Sequence, residues 1–257
     1  MKSLVALAAL IFPALAVGQK SPPLNVLLDR LQAYASQYQA ALPSLSCDEL
    51  ITSQALNKKG KVSWQIKIQS TLREIRNDDP YDPFLEKREY KSVDGHRPKP
   101  GFPMPLFVEG GFANLAGFKS WEQRECFDYV LSAGDSAGTV RLEMTLKANP
   151  PDSSCAKIPA GFHRVVIADP ESGRILHSER SVSPEVAALT REVYFGAVDY
   201  APQKLGNQTF WLPARFYAHD FRGTLRMFAT YSNYHRYTGE MKMLPGMSIP
   251  GAHPNPQ

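Results

Sequence analysis

"FWLPARFYAHDFRGTLRMFATYSNY", residues 210–234, decides the fold. Read at every second residue, it separates into two sets. Phe210, Leu212, Ala214, Phe216 and Ala218 are apolar, while Trp211, Arg215, Tyr217 and His219 carry polar or amphipathic groups, with Pro213 interrupting them. After the polar break Asp220–Gly223 the alternation resumes, with Leu225, Met227, Ala229 and Tyr231 set against Arg226, Thr230 and Ser232. A period of two belongs to a strand with one dry face and one wet face. Two such strands around a short glycine-containing break form an antiparallel hairpin. Strands this long must lay their dry face on something: the protein's own core, or an apolar molecule from outside.

The same alternation recurs along most of the chain. Trp64, Ile66 and Ile68 alternate with Ser63, Gln65, Lys67 and Gln69 after the turn Asn57-Lys58-Lys59-Gly60. "FLEKREYKSVDGHRP" forms another strand that ends at Asp94-Gly95. Hairpins are predicted around Gly134–Gly138 and Asp169–Gly173, and three more strands follow, with turns near Gln203–Asn207 and at Asp220–Gly223. The total is about nine to eleven strands. Residues 22–42 differ: Leu24, Leu27, Leu28, Leu31, Tyr34, Ala35, Tyr38 and Leu42 recur three and four apart, which is helical spacing. Ser21 is the expected N-cap, Pro22 the first helical residue, and Pro43 the stop. The fold class is therefore mainly β (α+β): a single antiparallel meander curled into an unclosed β-barrel, covered by an N-terminal amphipathic helix. No internal repeat or central linker divides residues 19–243, so one domain is expected, followed by an extended Pro/Gly-rich tail over 244–257. Residues 97–111 hold four prolines and three glycines together with apolar side chains. Proline removes sheet donors, so this stretch is irregular, and Phe102, Met104 and Phe107 are expected to act as a lid.

The compartment follows from the first residues. "MKSLVALAALIFPALAVG" has one lysine, an apolar run and small residues, the pattern of a secretory signal peptide over residues 1–18, with an uncleaved anchor as the alternative. Periplasmic or secreted location follows, with no transmembrane segment after cleavage. The formal net charge is only +4, with 29 basic and 25 acidic residues interspersed, so a clustered nucleic-acid-binding face is not expected. Among three cysteines, Cys126 and Cys155 are expected to pair, because a hairpin between them can return one toward the other. Pairing of Cys47, within the chain or between chains, stays open.

No catalytic constellation is legible. There is no G-x-S-x-G motif and no cysteine in a peptidase context. His163 and His177 share a hairpin and read as polar positions on a wet face. His219 and Asp220 are adjacent and point to opposite sides of a strand, while His235 lies among tyrosines. Asp78, Asp79 and Asp82 read as a solvated turn. No metal, no cofactor and no enzymatic activity are expected. "NQT" at Asn207 fits the N-glycosylation pattern.

The C-terminal third resembles a known superfamily. "VVIADPESGRILHSE" (165–179), the phrase Thr209-Phe210-Trp211-Leu212-Pro213-Ala214-Arg215, and the strand ending in "SNYHRY" resemble the periplasmic lipoprotein-carrier-like superfamily, which includes the outer-membrane lipoprotein sorting proteins. The similarity covers roughly residues 160–238. It implies an unclosed barrel whose helices cover an apolar cavity, which in the carriers accepts acyl chains. The chain departs from the carriers in Cys126 and Cys155, in the proline-rich stretch and in having fewer helices.

The expected function is an exported, non-enzymatic binding protein with a lipid or acyl chain in the concavity of its sheet. The expected lining is Trp64, Ile66, Phe210, Leu212, Phe216, Leu225 and Met227, and a one-residue slip would exchange the two faces. The alternative is a cell-envelope structural or interaction protein with a solid core and an envelope protein as its partner.

Overall fold

The computed structural model describes residues 22–77, 84–99, 123–151, 153–190 and 193–237. The elements run α1 (Leu24–Ala41), β1 (Leu45–Leu56), β2 (Val62–Arg76), β3 (Phe84–Val93), β4 (Phe127–Ala133), β5 (Val140–Leu146), β6 (His163–Ala168), β7 (Ile175–Ser181), α2 (Pro184–Thr190), β8 (Phe195–Leu205), β9 (Gln208–His219) and β10 (Leu225–Arg236). Among the described residues ten strands form one antiparallel sheet, ordered β3-β2-β1-β10-β9-β8-β7-β6-β5-β4. It is a meander, mainly β, and it does not close. Its first and last strands in sequence, β1 and β10, pair over their full length. The open edges are instead β3 and β4, which are consecutive in sequence. The expected leader, the lid residues Phe102, Met104 and Phe107, Asp78, Asp79 and Asp82, and the tail lie outside the described residues.

The helix shows that the sheet curls. β2 and β4 are eight steps apart in the strand order, about 38 Å if the sheet were flat. Yet Asp29 of α1 pairs with Arg124, just before β4, at 2.6 Å, and the carbonyl of Gln39 accepts from Arg76 of β2 at 2.9 Å. Ten helical residues span only about 15 Å. Even two extended arginines cannot bridge the difference, so the sheet wraps around the helix. Leu27, Leu28, Leu31 and Ala35 form the buried stripe of α1, and they join side chains from β1 to β10 in one core.

The helix begins at Leu24, later than its periodicity predicts, because the first turn closes on Pro23: its carbonyl accepts from the amide of Leu27 at 3.1 Å. The sequence reading did not include α2. Ser183 caps it, its hydroxyl accepting from the amide of Val186 at 3.3 Å, with Pro184 at the first helical position. Register shifts in several strand pairs modify the simple alternation, two of them on β9 and β10. At Asn233, whose φ is 54°, β10 slips against β1, so Tyr231 and Tyr234 both point inward although they are three apart. A second shift lies opposite Pro213, which has no N–H for the ladder.

One glycine ties the β6–β7 turn to the helix. Gly173 has a φ of 70°, and a Cβ there would sit 2.4 Å from the carbonyl oxygen of Arg30 and 2.7 Å from the amide nitrogen of Leu31. Gly173→Ala is expected to destabilise the fold by about 2–4 kcal/mol, combining left-handed strain with displacement of α1. Gly60→Ala is the control. Its φ is 72° with nothing within 4 Å, so strain alone is expected, about 1–2 kcal/mol. Equal losses in urea titrations would mean that α1 does not rest on the turn.

Candidate functional site

Curling turns each cross-strand row into part of a ring, and the inner rows can be followed from one end of the barrel to the other. Nearest the β1–β2 turn, Trp64, Ala55 and Leu225 stand side by side. The next row runs Ile66, Ser53, Met227, Ala218, Gly196. Below it come Ile68, Ile51, Ala229, Phe216, Val198, with the Phe216 ring within 3.6 Å of where a Gly196 Cβ would stand. Toward the far end, Phe210 meets Tyr38 of α1 edge-on, ring centroids 6.2 Å apart. Ile66, Phe210, Leu212, Phe216 and Met227 are between 0% and 7% exposed. Trp64 is 42% exposed and Leu225 half-buried, so these two form an open lip.

One sector of this inner face carries a buried ion pair, and the sequence reading missed it. Beside the apolar rows lie Tyr90, Ser70, Glu49 and Tyr231 in cross-strand order. Glu49 is 2% exposed. Its carboxylate accepts two bonds from Arg88, at 2.9 and 3.1 Å, and one from the Ser70 hydroxyl at 2.6 Å. Arg88 also pairs with Glu86. Burial pulls the Arg88 pKa down, but the hydrogen bond and charge of Glu49 outweigh it and hold the group above its ordinary range. Burial, followed by the Glu49 charge, pushes the Cys47 thiol up to about 12 and raises Tyr231 well above the usual phenol range. The signal was present: Glu49 keeps the phase of Leu45, Cys47 and Ile51, and Arg88 that of Phe84 and Tyr90.

On the other side, Arg164 and Arg180 stand opposite each other on β6 and β7 in the inner phase. Arg164 is buried, its Nε donating to the Ser178 hydroxyl at 3.1 Å, and burial lowers its pKa. Arg180 is exposed. Cys126 and Cys155 are joined, Cα atoms 5.7 Å apart, and both are buried. Cys47 is a free, buried thiol.

His163 and His177 lie on the outer face but not opposite each other: the partners are Ser181 and Ile167. His177 sits between Asp199 (2.7 Å) and Glu179 (3.1 Å). His219 packs among Tyr194, Phe195 and Tyr217. Among the described residues no three His, Cys, Asp or Glu side chains converge as a metal site, and no helix is long and apolar enough to cross a membrane. A depression of about 260 Å³ between Asp48, Leu50, Gln69 and Lys91 has a rim too polar for an acyl chain.

No protein-family model matches the chain, and no curated protein matches it. Solved structures do. One is a DUF1329 family protein from Desulfovibrio piger, 13% identical with a TM-score of 0.43, the match covering 86% of this chain and 95% of that one. Another is a putative outer membrane lipoprotein-sorting protein domain from Vibrio parahaemolyticus, 14% identical with a TM-score of 0.44, covering 84% and 94%. A third is a LolA superfamily protein from Nitrosomonas europaea, 11% identical with a TM-score of 0.37, covering 83% and 94%. The second and third bear names from the superfamily that residues 160–238 resemble. At such identities no residue role passes from them to this chain.

Proposed function

We propose that the chain is an exported binding protein that holds the apolar part of an amphiphile, such as an acyl chain, against the inner rows, without catalysis. The supporting observation is Trp64: a large apolar side chain, 42% exposed, that opens onto the buried row beginning at Ile66. Burying that indole under a guest would release roughly 2 kcal/mol. Arg180 and Arg164 add positive charge to the same face, which fits an anionic head better than a neutral one. A guest must displace whatever covers rows that are already 0–7% exposed. That burial favours a second reading, a solid core in a cell-envelope protein with a protein partner.

Two measurements separate the readings. Lipids are extracted from the native protein and identified by mass spectrometry, and a fluorescent fatty acid is titrated into the purified chain. Saturable binding, weakened by roughly thirtyfold in Trp64→Ala and weakened again in Arg180→Glu, supports the carrier reading. No co-purified lipid and no saturable binding leave the solid core.

A further inference from the structure

We infer that the corner formed by the β1–β2 and β9–β10 turns docks on an anionic lipid surface. The two turns, residues 57–61 and 220–224, are far apart in sequence but adjacent in space. The Leu56 amide donates to the Thr224 carbonyl at 2.7 Å. Each turn is held by its own side chain. The Asn57 Oδ1 accepts from the amides of Lys59 (2.9 Å) and Lys61 (3.1 Å), which leaves Lys58, Lys59 and Lys61 exposed around Gly60. Asp220 is the one acidic residue in these two stretches. Its carboxylate is turned back on its own turn, accepting from the amides of Thr224 (2.8 Å) and Leu225 (2.9 Å) and from the Thr224 hydroxyl (3.0 Å). The corner therefore shows solvent four cations, including Arg222.

Apolar groups stand among those cations. Val62 is 44% exposed and Phe221 36%, beside the open Trp64, and the Arg222 guanidinium lies 5.1 Å from the Phe221 ring centroid. Long basic stems around protruding aromatic rings suit the boundary between headgroups and acyl chains. Charge is drawn to anionic lipid, and the rings settle at headgroup depth. An acidic protein would satisfy the charges but gives no reason for an exposed phenyl ring in one turn and an exposed indole on the strand that leaves the other. Docking needs no guest inside the barrel, so it stands apart from the function proposed above.

The test is sedimentation of the purified full chain with vesicles of phosphatidylcholine alone and of phosphatidylcholine mixed with phosphatidylglycerol, at low and high salt. Binding is expected to the anionic vesicles, weakening as salt rises. The triple variant Lys58→Glu, Lys59→Glu, Arg222→Glu is expected to bind at least about a hundredfold more weakly, with an unchanged melting temperature because all three side chains are exposed. Phe221→Ser should reduce the binding that survives high salt. Lys204→Glu, on β8 close to the β8–β9 turn at the other end of the sheet, should leave it unchanged. Equal binding to both vesicle types, no binding to either, or a triple variant that binds as the parent does would overturn the inference. So would loss of an acidic protein partner by the triple variant without any vesicle binding.

Discussion

Glu49→Ala is expected to destabilise the protein by about 3–5 kcal/mol. Removing the carboxylate leaves the Arg88 guanidinium buried on the inner face, with Glu86 still beside it as a counter-charge. Glu86 sets the cost toward the lower end of that range. The Ser70 hydroxyl loses its acceptor as well. By contrast, Glu49→Leu combined with Arg88→Met should recover most of the loss, because an ion pair replaced by well-packed apolar groups of similar volume is often neutral. Equilibrium urea denaturation of the two variants measures both effects. A loss below about 1 kcal/mol for Glu49→Ala would be that of a solvated surface pair. It would mean that water reaches the β1–β3 side of the barrel, and that the inner face is wet where it is charged. The result therefore bears on function: a dry pair marks a filled interior, and a wet one marks an accessible trough.

The second large effect concerns the bond between Cys126 and Cys155. It closes a loop with a sequence separation of 29, and loops of that size contribute roughly 3–4 kcal/mol by restricting the unfolded chain. It also fastens the start of β4, an open edge of the sheet, to the link before β6. Cys126→Ser with Cys155→Ser is expected to lower the melting temperature by several degrees or more. In the parent chain Cys47 should resist alkylation in the folded state, since it is buried with its thiol pushed up to about 12. Serine variants as stable as the parent would remove the structural role assigned to this pair, and alkylation of Cys47 in the folded parent would show that the core around Cys47 admits solvent.

Much of the fold was legible because its signals are local. β9 and β10 alternate with period two, and α1 repeats at three and four; these periods come from the backbone geometry of each element alone. The turns at 57–60, 134–138, 169–173 and 220–223 carry their glycines and the side chains that bond across them within a few residues. The inner-face members Ile66, Phe210, Leu212, Phe216 and Met227 followed from phase. What escaped was the meaning of charges in that phase. Glu49 and Arg88 each look like a break in an apolar face until β1 and β3 are brought together across β2.

The sequence by itself determined where the strands and the first helix lie, which face of β9 and β10 is dry, and where the turns fall, because each depends on neighbours within a few residues. Only the tertiary structure decided that β10 pairs with β1 and the sheet opens between β3 and β4, that Glu49 meets Arg88 inside, and that two distant turns share one basic, aromatic corner. Those outcomes depend on contacts between residues separated by 39 to 191 positions, and no period in a single segment encodes which partner will close over it.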